Sequence, residues 1–262
     1  MRAVTLCLSL AVLGLPGILE AVDRAGKEIS RTVDLSAGGR VSVDTYKGSI
    51  RVSGWDKGQV EIRARIEPDS GWFGTHEAEV EETEVRIDSS PDSVRIKSDY
   101  GRPRPALFSW RVLPLVHYEI RMPRAARLDI KDYKSKTEVT GLQTEARIET
   151  YKGSVAVEGL KGGLQLETYK GSARVRFDGL ESRSRFETYK GEIEVTLPDN
   201  QGFELETDLG RRAGLVSDFD LKTRERRHRR GARHFSEAVN GGGPKLSLKS
   251  HRGDFRLKKG SA

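Results

Sequence analysis

The tripeptide Tyr-Lys-Gly occurs four times in this chain, at Tyr46, Tyr151, Tyr169 and Tyr189, and Tyr133-Lys134-Ser135 is a close variant. From Tyr133 the frame recurs after 18, 18, 20 and 20 residues and ends at Leu209. Thr207-Asp208-Leu209-Gly210 and Ser250-His251-Arg252-Gly253 hold the same frame in weaker form. A fixed period of this length marks a stack of supersecondary units, none of which buries its apolar face alone.

Within a unit the side chains alternate. Ile148 and Thr150 face one way and Glu149 the other, and Val155 and Val157 share a face beyond the corner. The count from Thr150 to Val155 is odd, so one residue must be absorbed at the corner. Gly153 is expected to make that bend through its conformational freedom. Leu164, Leu166 and Thr168, then Ala173, Val175 and Phe177, repeat the pattern, as do the units that follow through Phe203, Leu205 and Thr207. The fold class this predicts is all-β: a β-solenoid, single-stranded and β-helix-like, of stacked two-strand coils with an irregular β N-terminal part. Regular coils are expected over about 126–210. An antiparallel sandwich would also give short alternating strands, but it offers no reason for one corner peptide to return at near-constant spacing. Further strands are expected at Ile29 to Leu35, Val41 to Thr45, Ile50 to Ser53, Val60 to Ile66, Val80 to Ile87, Val94 to Lys97 and Val116 to Met122.

Residues 1–21 read as a signal peptide: Arg2, an apolar run from Ala3 to Leu15, the Pro16-Gly17 break and a small Ala21. The expected mature chain, 22–262, is one domain that is exported to the periplasm, the cell surface or the medium. Cys7 is the single cysteine, so the mature chain would hold no disulfide and no thiol nucleophile. Charged residues at 32% and hydrophobic residues at 35% suit an elongated body with much surface per residue.

The order of features resembles the bacterial putative-adhesin family of β-strand-repeat proteins, a domain of unknown function. The residues that carry the resemblance are Val43 to Trp55, the charged stretch Val80 to Ile96, Ile120-Arg121-Met122-Pro123 and the units from Leu128 to Leu197. It implies a cell-envelope binding or scaffolding module with no catalytic residues. The Tyr-Lys corner and an arginine-rich insertion depart from the family's pattern.

Two features could carry binding. Tyr151, Tyr169 and Tyr189 should line one edge, with Lys152, Lys170 and Lys190 beside them. Such a ladder could hold a sugar chain on its ring faces or an anionic polymer on its ammonium groups. As a purely structural device, the lysines would neutralise the column Glu149, Glu167, Glu187 and Glu206. The second feature is a basic arm at 222–233, with Arg224, Arg226, Arg227, Arg229, Arg230 and Arg233. Net charge is +7, and a basic arm favours an anionic envelope polymer or a lipid surface, with another protein as the remaining partner class. No recognition helix or zinc spacing suggests nucleic acid. The alternative reading is a stacked-β enzyme acting on acidic polysaccharide. Catalysis needs a few unlike residues to converge, whereas these candidates repeat identically. No cofactor motif and no metal-ligand spacing is present, and the chain is read as a non-enzyme. Trp55, Trp72 and Trp110 fall in or beside loops and are expected to cover an end of the stack.

Overall fold

The computed structural model describes residues 26–69, 77–101, 112–222 and 233–260. The chain opens with β1 (Lys27–Asp34), β2 (Arg40–Asp44), β3 (Lys47–Trp55) and β4 (Gln59–Glu67), then a short helix α1 (Glu77–Glu82). β5 (Glu84–Ser90), β6 (Ser93–Asp99), β7 (Leu115–Pro123), β8 (Arg127–Asp132), β9 (Lys134–Thr140), β10 (Ala146–Thr150) and β11 (Ser154–Leu160) follow. After them come β12 (Leu164–Thr168), β13 (Ser172–Phe177), β14 (Ser184–Thr188), β15 (Glu192–Pro198), β16 (Phe203–Leu209) and the brief β17 (Leu215–Ser217). β18 (Arg233–Val239), β19 (Lys245–Ser250) and β20 (Asp254–Gly260) end the chain. Strict two-residue alternation makes these strands half-buried: in β12, Leu164, Leu166 and Thr168 are buried while Gln165 and Glu167 face water.

The strands form two open ten-stranded mixed sheets among the described residues. One runs β1-β4-β7-β3-β9-β11-β13-β15-β20-β17 and the other β18-β16-β19-β14-β12-β10-β8-β2-β6-β5. From β8 to β15 consecutive strands alternate between the sheets, and strands two apart pair in parallel. Like positions therefore lie over one another. Ile130, Ile148, Leu166, Phe186 and Leu248 form one inward column, and Val52, Val139, Val157, Val175, Val195 and Leu257 another. These columns and their neighbours make one continuous apolar core between the sheets. Burying such side chains contributes roughly 1.5–3 kcal/mol each against exposure.

The corners share one construction. The Thr150 hydroxyl accepts from the Gly153 N–H at 3.0 Å, as Thr168 does from Gly171 and Thr188 from Gly191, both at 2.8 Å, and Ser250 from Gly253 at 2.7 Å. Gly153 was expected to supply an unusual backbone conformation, and this is corrected: it is absent from the positive-φ residues. Glycine is required by close approach instead. A Cβ on Gly171 would run into the Gly153 carbonyl oxygen, and one on Gly191 into that of Gly171. Ser135 occupies the same column, with the Asp132 carboxylate accepting from its N–H at 2.9 Å, and its own hydroxyl has no hydrogen-bond partner among the described residues.

The order of coils differs from chain order. Sequence frame placed the Thr207 unit directly after the Thr188 unit, with regular coils ending near 210. Instead β19 lies between β14 and β16, and β20 pairs with β15. β16 continues as strand through the buried Leu209, where a corner would have to turn, whereas Ser250-His251-Arg252-Gly253 makes the hydroxyl-to-glycine corner that fits the neighbouring coil. The unit around Tyr46 also belongs to the stack, since β2 pairs with β8 and β3 with β9. Of the intervening segment, β6 pairs in parallel with β2 and β7 with β3, and β5 and β4 then join them antiparallel. A single strand from Val80 to Ile87 is corrected as well. α1 holds Val80, and Thr83 closes it by donating to the Glu79 carbonyl at 2.7 Å before β5 begins. A run of glutamates around one apolar residue favours a helical turn over a strand.

Candidate functional site

At each corner the peptide N–H after the tyrosine donates to the tyrosine carbonyl of the coil before. The bonds are Lys134 to Tyr46 at 2.8 Å, Lys152 to Tyr133 at 2.8 Å, Lys170 to Tyr151 at 2.9 Å and Lys190 to Tyr169 at 3.0 Å. The ladder thus continues around the corner and fixes the rings in line. Tyr46, Tyr133, Tyr151, Tyr169 and Tyr189 stack with centroids 4.6–4.8 Å apart and planes within 12°. His251 extends the column at 4.9 Å from Tyr189, and Tyr100 meets Tyr46 edge-on at the other end. The separation is the strand spacing.

This geometry corrects one expectation. The ring faces cover one another, so a sugar has no free face to stack on along the interior of the column. Edges and phenol hydroxyls are what the column presents. Lys152 Nζ lies 5.8 Å from the Tyr133 centroid and 5.5 Å from that of Tyr151, Lys170 Nζ lies 5.3 Å from Tyr169, and the Arg252 guanidinium lies 5.8 Å from Tyr189. These cations stand close beside the column. Lys190 is exposed and makes no such contact among the described residues.

On the opposite flank a groove of about 590 Å³ runs beside the rings. Its far wall is the in-register column Glu149, Glu167 and Glu187, closed at the ends by Lys131 and Lys249. The expected neutralisation of this column by Lys152, Lys170 and Lys190 is corrected, because the ion pairs of its glutamates go to other residues. Arg147 pairs with Glu149 two residues along its own strand, Arg185 pairs with Glu187 at 3.0 Å, and Lys249 reaches Glu187 at 2.7 Å. For Glu187, burial works against ionisation, but the bonds from Lys249 and Arg185 outweigh it and hold the carboxyl below its ordinary range. Glu206 is held low in the same way by Lys245. Gln165 stands where the arginine of the neighbouring strands would be, and Glu167 makes no ion pair among the described residues.

Of the basic arm, Arg224, Arg226, Arg227, Arg229 and Arg230 lie outside the described residues, as do Trp72, Trp110 and the whole signal segment. The Arg233 backbone begins β18, opposite Leu209. Trp55 ends β3 and its indole N–H donates to the Gln59 carbonyl at 2.7 Å. Among the described residues no helix is long and apolar enough to cross a membrane, and no group of three or more His, Cys, Asp or Glu is arranged to hold a metal ion.

One constellation has catalytic-looking components. Ser49 Oγ lies 2.8 Å from His117 Nδ1, and His117 Nε2 lies 3.7 Å from Glu67. Ser49 sits mid-strand between β7 and β9, on a flat sheet face where the surrounding N–H groups serve the ladders. Acyl transfer needs free donors aimed at a developing oxyanion, and no such donor stands beside Ser49 among the described residues. Sequence reasoning missed the cluster because its members are separated by 18 and 50 residues and share no local pattern.

No protein-family model matches the chain, and no curated protein matches it. Among solved structures it is similar to a putative cell adhesion protein from Clostridium sporogenes, at 12% identity and a TM-score of 0.48, covering 90% of this chain and 100% of that one. A putative lipid binding protein from Parabacteroides distasonis gives 10% identity and a TM-score of 0.34 over 88% and 97% of the two chains. A putative adhesin from the same organism gives 11% and 0.27 over 90% and 98%.

Proposed function

We propose that this chain is an exported, non-catalytic β-solenoid that serves the bacterial envelope as an adhesin-like binding or scaffolding module. Residues 1–21 direct export, and 22–262 form one domain. The observation that carries this reading is the column from Tyr46 to His251. Five tyrosine rings repeat every 4.6–4.8 Å along a line that His251 extends, which suits contact with an extended surface or polymer. A reaction centre gathers unlike groups at one point.

The partner is anionic envelope material. It meets the exposed Lys152, Lys170 and Lys190 side of the column and the basic arm, since the Glu149–Glu187 side repels it. The test is retention of the purified mature chain on acidic-glycan beads and anionic liposomes. Wild type is retained and released by rising salt. Replacing Arg224, Arg226, Arg227, Arg229 and Arg230 by Gln lowers retention and flattens the salt dependence. Wild type that passes through every anionic matrix contradicts the reading.

A further inference from the structure

Away from the ring column, β2 and β8 place Arg40 and Arg127 directly opposite each other in register. Like charges so placed repel, and each such pair weakens a sheet. Elsewhere on the sheets some outward arginines are tied to acids, Arg147 to Glu149, Arg185 to Glu187, Arg51 to Glu119 and Glu138, and Arg256 to Glu192, while Arg95, Arg174 and Arg176 make no ion pair among the described residues and have no second arginine in register beside them. Arg40 and Arg127 are exposed and make no ion pair among the described residues, and the same holds for Arg183. All three border one depression of about 360 Å³ on the outer face of the sheet that carries the glutamate column. Gly163 provides its low floor, because a side chain there would strike the Arg183 carbonyl. The acids in its lining are Asp129 and Glu145, and neither pairs with these arginines.

We infer that Arg40, Arg127 and Arg183 form a binding site for a phosphate group. The inference rests on the reading of the chain as a binder of anionic envelope material and names the chemistry that one part of its surface selects. Guanidinium forks pair with oxyanions through charge-assisted hydrogen bonds. Arg40 and Arg127 bring two adjacent forks to the depression, Arg183 adds a third cation at its far side beyond Glu145 and Gly163, and a phosphate offers such a set more accepting oxygens than a carboxylate does. The bound anion also screens the Arg40–Arg127 repulsion, so binding and stability are linked. The phosphate could belong to a lipid headgroup or be free in solution, and the two sources separate by experiment.

The experiment measures thermal midpoints of the full mature chain at matched ionic strength, with inorganic phosphate or with acetate. Phosphate raises the wild-type midpoint saturably and acetate does not. Arg40→Gln/Arg127→Gln binds phosphate about tenfold more weakly or worse, a loss of one modest interaction or more. Both positions are exposed, and relief of the like-charge pair leaves the phosphate-free variant at least as stable as wild type, so the comparison does not depend on a damaged fold. Flotation with phosphatidylcholine vesicles, with and without phosphatidic acid, identifies the source: recovery with phosphatidic acid that falls in the double variant assigns a lipid headgroup, and a midpoint shift lost in the double variant while its flotation equals that of wild type assigns soluble phosphate. Equal shifts from acetate and phosphate, or equal shifts in wild type and the double variant, overturn the site. Retention on acidic-glycan beads that survives in the double variant would leave the wider reading standing while the notch fails.

Discussion

The stacked coils from β8 to β15 and the segment between β3 and β8 bury apolar strands by different means. In the coils each strand finds its partner 18 to 20 residues away, always parallel, and every corner after the first, where Asp132 and Ser135 stand in, is pinned by a hydroxyl, a glycine and a ring. Between β3 and β8 the pairing is mixed: β6 and β7 join β2 and β3 in parallel, β5 and β4 add to them antiparallel, and β1 from earlier in the chain pairs antiparallel with β4, with no shared corner peptide. The two edge strands there are bridged by side chains, Arg31 donating to the Ile87 carbonyl at 2.8 Å. Repetition stabilises a stack through equal neighbour contacts, while its end needs unequal strands that do not invite another copy. At the far end β16 and β18 again pair antiparallel.

The contrast breaks most sharply at the glycines. Gly171→Ala puts a methyl group into the Gly153 carbonyl, whereas Gly179→Ala meets nothing within 4 Å. Urea unfolding should show a loss of about 3 kcal/mol or more for the first and within about 0.5 kcal/mol of wild type for the second. Equal effects would mean the coils are not packed corner on corner. A smaller effect separates interior rings from terminal ones. Tyr169→Ala removes two stacking contacts and Tyr46→Ala one stacked and one edge contact. At about 0.5–1.5 kcal/mol per ring pair, Tyr169→Ala costs roughly 1–3 kcal/mol, and Tyr46→Ala costs less because Tyr46 is the more exposed ring.

The smallest effect concerns the first corner of the regular coils, where Asp132 replaces the usual threonine. Burial raises its carboxyl above the ordinary value, although bonds from Ser135, Thr150 and Thr137 oppose the shift. The folded state then holds the proton more tightly than the unfolded one. Asp132 favours folding fully only below its unfolded value, and that contribution is lost as pH rises through the folded value. Asp132→Thr should therefore raise the melting midpoint at neutral pH, with the gain shrinking as pH falls through the carboxylate range. A gain that is constant with pH would assign the effect to packing instead.

Legibility divided along the same line. The spacing of Tyr151, Tyr169 and Tyr189 carries enough information to align them, because strand period and corner chemistry are local. The frame also included Ser250-His251-Arg252-Gly253, but the insertion of β19 ahead of β16 depends on Leu209 continuing a strand, which no period reports. The Arg147-x-Glu149 and Arg185-x-Glu187 pairs were visible as same-face neighbours and were passed over for the lysines. Arg40 and Arg127 are 87 residues apart, and Ser49 and His117 are 68 apart, so only tertiary pairing brings either couple together.

Cysteine pairs test the stacking most directly, since strand spacing lies within disulfide reach. Glu149→Cys with Glu167→Cys should close a disulfide under mild oxidation, and so should Glu187→Cys with Lys249→Cys. Glu187→Cys with Asp208→Cys should stay open, because Lys249 stands between them. Closure of the Glu187–Asp208 pair together with failure of the Glu187–Lys249 pair would contradict the order of coils, and failure of the Glu149–Glu167 pair would contradict the stack itself.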